Sequence, residues 1–197
     1  GYIGKKSIQP NRIYKTLELM KNRGPDYQNW CSFNHGDTNI YLLHSRLSII
    51  DLDERSNQPF KFEDFTIVFN GEIYNYIEVR NDLIKKGYRF TTDSDTEVLL
   101  KAYAEYGDEC VNHFNGMWAF GIWDNKKKKL LLSRDRFAEK PLYYFKDNNG
   151  FYFASEIKAI QSLLQKKLPI NYDHIKRHLV YGYKFLYKTP ETFFQGI

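Results

Sequence analysis

The apolar residues of this chain form two blocks of short strand-like runs separated by a pair of helical segments, and few architectures accept that order. In the first block, Asn29 to Phe33 and Ile40 to Asp51 are rich in β-branched, aromatic and aliphatic residues, with His35-Gly36-Asp37 between them as a hairpin connection. Phe65 to Phe69 is a third strand, closed by the Asn70-Gly71 turn signal. Beyond it Ile73, Ile77, Leu83 and Ile84 recur at helical spacing, so this turn feeds a helix; Asn75 with Glu78 reads as a capping box and Gly87 as the residue just past the helix. Ser94-Asp95-Thr96-Glu97 is a second capping box, opening a helix through Leu99, Leu100 and Tyr103 to Gly107. The second block holds the strands Met117 to Trp123, Leu130 to Arg134, Leu142 to Phe145 and Phe151 to Ala154. A helix carrying Ile13, Leu17 and Met20 comes first and ends near Asn22, before the turn Arg23-Gly24-Pro25-Asp26; short helices at Glu156 to Leu164 and Asp173 to Tyr181 come last. Strands gathered in blocks, without a strict βαβα rhythm, predict an α+β layered domain.

Composition narrows the function classes. A chain of 197 residues suits one domain with an appendage and can bury a sizeable core. The formal charge of +5 is a modest excess that a solvated surface carries without nucleic acid as partner. The run Lys126-Lys127-Lys128-Lys129 would attract phosphate, but it sits in a hairpin connection with no interleaved aromatic platform, and a solvated loop is the simpler reading. The longest apolar stretch, Met117 to Trp123, is seven residues, far short of the ~18 to 20 that cross a bilayer, so no membrane partner is expected. Cys31 and Cys110 cannot build a disulfide framework, which points to a reducing, cytoplasmic setting; Cys31 with His35 supplies only two ligands and does not make a zinc site. The start has neither a signal-peptide core nor an initiator Met, and the first residues of the native chain are expected to lie upstream of Gly1.

Three polar groups fall at strand ends and helix starts: Arg46 within His44-Ser45-Arg46-Leu47-Ser48-Ile49-Ile50-Asp51, the Asn70-Gly71-Glu72 segment, and Asp95. Singly each has a structural explanation: an arginine reaching past its neighbours to the surface, a turn, and a carboxylate on a helix dipole. Together they match a zwitterionic α-amino acid amide such as glutamine. A guanidinium grips a carboxylate, a carboxylate accepts from an ammonium, and an Asn side chain beside a Gly N–H makes an oxyanion hole.

Six segments then share one resemblance. Arg23-Gly24-Pro25-Asp26, His44 to Leu52, Gln58-Pro59, Phe69-Asn70-Gly71-Glu72-Ile73-Tyr74-Asn75, Ser94-Asp95-Thr96-Glu97 and Arg134 to Tyr144 resemble, in order, the motifs of the glutaminase domain of the asparagine synthetase family. That resemblance covers nearly the whole chain and implies a class II glutamine amidotransferase with the N-terminal-nucleophile hydrolase fold. This is a four-layer αββα sandwich, two antiparallel sheets between helical layers. By the resemblance, residues 1–197 are a glutaminase domain shortened at both ends. Arg46 would bind the glutamine α-carboxylate, Asp95 its α-ammonium, and Asn70 with the Gly71 N–H the oxyanion; backbone groups of Leu47, Ser48, Ile49 and Ile50, with Glu72, would line the pocket.

In that family the nucleophile is an N-terminal cysteine whose own α-amine is the base, within a start Cys-Gly-Ile-x-Gly-Tyr; Gly1-Tyr2 match its last part, which puts the cysteine just upstream and Gly1-Tyr2 on the strand that carries it. Cys31 and Cys110 read as small core residues. No cofactor is expected in this domain. ATP and Mg would belong to a C-terminal synthetase domain, the implied partner, which would amidate aspartate or a related carboxylate; a homodimer is a further implied assembly. The other reading is a module without a nucleophile, serving assembly or regulation. One departure from the family is Ala138 where it usually has Gly, so a different backbone is expected at that turn.

Overall fold

The protein is described here from a computed structural model covering residues 1–182 and 189–197. Two antiparallel sheets stack face to face. The first runs β2-β3-β1-β9-β8, from β1 (Tyr2–Gly4), β2 (Tyr27–His35), β3 (Thr38–Arg46), β8 (Tyr143–Asp147) and β9 (Gly150–Ala154); the second runs β4-β5-β6-β7, from β4 (Phe60–Phe62), β5 (Phe65–Ile73), β6 (Gly116–Asp124) and β7 (Lys129–Arg134). Helices α1 (Pro10–Met20) and α4 (Ile157–Leu164) cover the first sheet, and α2 (Tyr76–Lys85) and α3 (Asp95–Tyr106) the second; α5 (Tyr172–Tyr181) follows as a separate turn of chain. The expected four-layer αββα sandwich is the architecture found.

Alternation along the strands builds the layers. On β3, Tyr41 and Leu43 face α1 and α4 together with Ile13, Leu17 and Ile160, while Ile40 and Leu42 face the opposite sheet and meet Val68, Trp123 and Phe153. On β5, Ile67, Phe69 and Ile73 pack under α3 with Val98, Leu99 and Phe120. Each such fully buried aliphatic or aromatic side chain contributes about 1.5–3 kcal/mol. The inter-sheet rows then turn polar at one end of the sandwich. The row Ile40, Leu42 continues as His44 and Arg46, and Val68 continues as Asn70 and Glu72. The site lies where the apolar core runs out.

Four sequence expectations are corrected. The strand begun near Ile40 ends at Arg46, not Asp51, because the chain folds back over the Arg46 guanidinium; Leu47, Ile49 and Leu52, whose apolar character suggested more strand, are 56%, 61% and 74% exposed. Asn70-Gly71 is not a turn: β5 runs straight through it to Ile73, with Asn70 opposite Ala119 and Gly71 opposite Trp118. A glycine is required there because a Cβ at position 71 would lie 2.2 Å from the Met117 carbonyl oxygen. Asn75 makes no capping bond; its side chain instead accepts from Asn115 N–H and donates to the His113 carbonyl. The Ser94 box is half made: the hydroxyl accepts from Thr96 N–H, but Glu97 turns to Thr91, Thr92 and Lys101. β1 and β4, three residues each, are too short to show a period.

At Ala138 the turn has the left-handed backbone that favours glycine, with φ 59°, so the alanine does not move the turn out of that region. Asp135 holds this turn by accepting from the N–H groups of Phe137, Glu139 and Lys140, and Arg134 closes it by donating to the carbonyls of Ala138 and Lys140.

Candidate active site

The polar end of the inter-sheet core opens into a cavity of ≈ 240 Å³. Of the nine residues singled out in the sequence, Arg46, Leu47, Ile49, Ile50, Asn70, Gly71, Glu72 and Asp95 all line it. Ser48 does not: its N–H donates to the Asp26 carboxylate at 2.7 Å. A second, largely apolar cavity of ≈ 110 Å³ adjoins it, reaching Leu17 of α1 and Leu163 of α4, and shares Arg23, His44, Ser45, Phe69 and Asn70 with the first; Gly1 lines it.

The outer edge of β5 carries the most telling arrangement. β4 pairs only as far as Ile67, so the edge is without a strand neighbour from Val68 onward. Trp118 gives both its N–H and its carbonyl to Asp135, at 3.2 and 2.8 Å, and so turns away from β5. Its register partner Gly71 must then turn its own N–H away from β6, toward the cavity, because opposed residues in an antiparallel pair exchange both bonds or neither. Phe69 and Ile73 face the same way, and each is satisfied: Phe69 N–H by Gln58 Oε1 at 2.7 Å, Ile73 N–H by Asp95 Oδ2 at 3.1 Å. Gly71 N–H, between them, has no protein acceptor among the described residues. The adjacent Asn70 Nδ2 is shielded from solvent and also without a partner. Two neighbouring donors thus lack a protein partner in a structure that satisfies the amides on either side, the composition of an oxyanion hole.

The lining carries charges of both signs, the cations Arg23, Arg46 and Lys140 and the anions Glu72 and Asp95. Burial is the main cause that pushes the Asp95 carboxyl up, to about 6, with the neighbouring Glu72 charge adding to it, while the N–H groups of Ile73 and Thr96 work in the other direction. A cation seated between the two carboxylates would relieve that penalty. Arg46, 6% exposed, donates from Nη1 to the Asp53 carbonyl at 3.0 Å and to Asn57 Oδ1 at 2.7 Å, and from Nη2 to the Asp51 carbonyl. These bonds leave Nε–H and one Nη2 hydrogen for a ligand. Asp51 in turn accepts from Asp93 N–H at 2.7 Å and pairs with Arg55, which joins the loop to the start of α3.

Gln58 and Thr96 escaped the sequence reading as functional. Gln58 is buried, accepts from Phe69 and donates to Thr96, bracing the edge on which Asn70 sits. The Gln58-Pro59 segment was the only signal the sequence offered. Cys31 and Cys110 line neither cavity, and burial pushes their thiols up to about 11 and about 12, so neither is a ready nucleophile. Among the described residues no three His, Cys, Asp or Glu side chains gather into a metal site, and no helix is long and apolar enough to cross a membrane.

Comparison with known proteins agrees with this geometry. The family described as Glutamine amidotransferase domain matches residues 1–197. Asparagine synthetase [glutamine-hydrolyzing] 1 of Bacillus subtilis is 41% identical over 177 residues, covering 89% of this chain and 27% of that protein. Asparagine synthetase [glutamine-hydrolyzing] 3 of the same organism is 41% identical over 151 residues, covering 74% and 24%. This chain therefore spans about a quarter of the length of those two relatives. Among solved structures, glutamine phosphoribosylpyrophosphate amidotransferase from B. subtilis superposes with a TM-score of 0.64 at 20% identity, covering 82% of this chain and 42% of that one, a likeness of fold.

Proposed function

Since this chain belongs to the glutamine amidotransferase domain family, we propose that it hydrolyses glutamine to glutamate and ammonia, as the glutaminase part of an asparagine synthetase-like protein. The free edge of the Arg46 fork takes the α-carboxylate, Asp95 with Glu72 the α-ammonium, and Leu47, Ile49 and Ile50 wall the side chain. Asn70 Nδ2 and Gly71 N–H take the amide oxygen. The nucleophile is the cysteine expected ahead of Gly1, on the strand that brings Gly1 to the cavity wall shared with Asn70. Its thiolate adds to the amide carbon while its α-amine holds the thiol proton. Negative charge collects on the oxygen between Asn70 and Gly71, the nitrogen leaves as ammonia with that proton, and water then cleaves the thioester to glutamate. The observation that carries this reading is the pair of adjacent, unpartnered donors on the open β5 edge, inside a cavity lined by both cations and anions.

A synthetase domain using ATP and Mg would consume the ammonia to amidate aspartate or a related carboxylate. The test is ammonia and glutamate release from glutamine by the protein extended through that cysteine, against its Cys→Ala variant. Release in the first and none in the second is the expected result. No release from the intact protein would return the reading of an assembly module without glutaminase activity.

A further inference from the structure

One buried polar atom of a cavity-lining side chain takes no part in that chemistry: Nδ1 of His44. His44 lines both cavities together with Phe69 and Asn70. Its Nε2 lies 3.0 Å from the Phe69 carbonyl oxygen. A carbonyl only accepts, so Nε2 carries the hydrogen and Nδ1 is left as a bare lone pair. The residue as a whole is partly exposed, yet Nδ1 itself is shielded from solvent and has no partner. Protonation does not resolve this. Burial above all, and the Arg46 charge to a lesser degree, bring the ring down to about 4 against the opposing effect of the Phe69 bond, so it is neutral in the physiological range.

The unsatisfied groups at this wall are therefore two donors, Asn70 Nδ2 and Gly71 N–H, and one acceptor, His44 Nδ1. A primary carboxamide answers all three, with an oxygen that accepts and a nitrogen that donates. A carboxylate satisfies the donors but sets its second anionic oxygen against a lone pair. We propose that His44 Nδ1 accepts a hydrogen from the amide nitrogen of glutamine and thereby selects glutamine over glutamate, the product. This inference rests on the glutaminase reading. It assigns His44 a role in specificity, distinct from orienting the nucleophile.

The test pairs a variant with a substrate change. In His44→Gln the side-chain amide can still donate to the Phe69 carbonyl, but the fixed aromatic acceptor is gone. Glutamate γ-methyl ester has the same carbonyl and no N–H on its leaving group. In the cysteine-bearing protein, His44→Gln is expected to lose at least about tenfold more in kcat/KM on glutamine than on the ester, the size of one lost hydrogen bond at a buried site. Glutamate should also become a relatively stronger competitor of glutamine. Equal losses on both substrates, or none on either, overturn the proposal; an unmutated protein that hydrolyses neither overturns the glutaminase reading beneath it. A second measurement avoids the variant altogether. With ¹⁵N-histidine in this chain, the Nδ1 resonance of His44 should move upfield on adding glutamine and stay in place with the ester. Glutamine binding that shifts the Gly71 amide but leaves His44 Nδ1 unmoved contradicts the assignment.

Discussion

The β5 edge and the loop after β3 face each other across the cavity and treat their polar groups in opposite ways. On the edge, a strand holds the backbone straight, side chains from elsewhere satisfy Phe69 and Ile73, and the donors of Asn70 and Gly71 between them stay open. In the loop, one buried arginine gathers the chain around itself, donating to the carbonyls of Asp51 and Asp53 and to Asn57. A ladder can leave a gap because its neighbours keep the geometry; an irregular loop cannot, and needs its own charged residue for order. On the proposed function, the edge is the part preorganised for charge that appears during reaction, and the loop, through the rest of the Arg46 fork, the part that binds.

The difference is broken most directly at Asn70. Asn70→Ala should lower the turnover of glutamine about a hundredfold or more while its Michaelis constant changes far less, since the oxyanion gains its charge chiefly in the transition state. Comparable losses in both quantities, in a steady-state assay, would mean that the edge had collapsed. Arg46→Lys attacks the other wall. A point charge cannot serve three loop acceptors and a carboxylate together, so the Michaelis constant should rise more than about tenfold, and the unfolding free energy should fall by about 1–3 kcal/mol as loop carbonyls lose their donor. An unchanged Michaelis constant sinks the role of Arg46 in substrate binding.

Asp95 links the two regions, because it satisfies Ile73 on the edge and faces the cavity. Its carboxyl, raised to about 6, must ionise to hold an ammonium, so the Michaelis constant for glutamine should climb as pH falls through about 6. The effect on folding has the opposite sign. A raised carboxyl stabilises the fold fully below its ordinary value, and that contribution is lost as pH rises through about 6. Asp95→Asn should therefore weaken glutamine binding and flatten its dependence on pH, yet leave the unfolding midpoint at pH ~7.5 unchanged or higher. A midpoint that falls sharply would show that the carboxylate is needed for the fold. The smallest effect is expected away from both walls. Ala138→Gly should stabilise by about 0.5–1 kcal/mol, the left-handed penalty less the entropy of glycine, without altering glutamine kinetics, as denaturant titration and the same assay can check.

Much of this was legible in the sequence, and the failures have physical causes. The layered α+β architecture followed from the order of strand and helix patterns, and the chemistry of Arg46, Asn70, Gly71 and Asp95 followed from residue type. Asn70-Gly71 was misread because the pair has strong turn statistics; here Gly71 is present for the close approach of the Met117 carbonyl, a contact between segments far apart in the chain. The loop after Arg46 looked like strand because it is rich in aliphatic residues, but they wall a cavity and meet solvent. Gln58 and His44 were hidden for a related reason. Each is held in place by a hydrogen bond to Phe69, and nothing local in the sequence reveals that partner.

Amide hydrogen exchange at three residues tests the open edge most directly. By NMR on this chain, Phe69 and Ile73 should exchange slowly, and Gly71 between them much faster, with its resonance moving downfield and its exchange slowing when glutamine is added. A Gly71 amide as protected as its two neighbours without ligand, and indifferent to glutamine, would contradict the account.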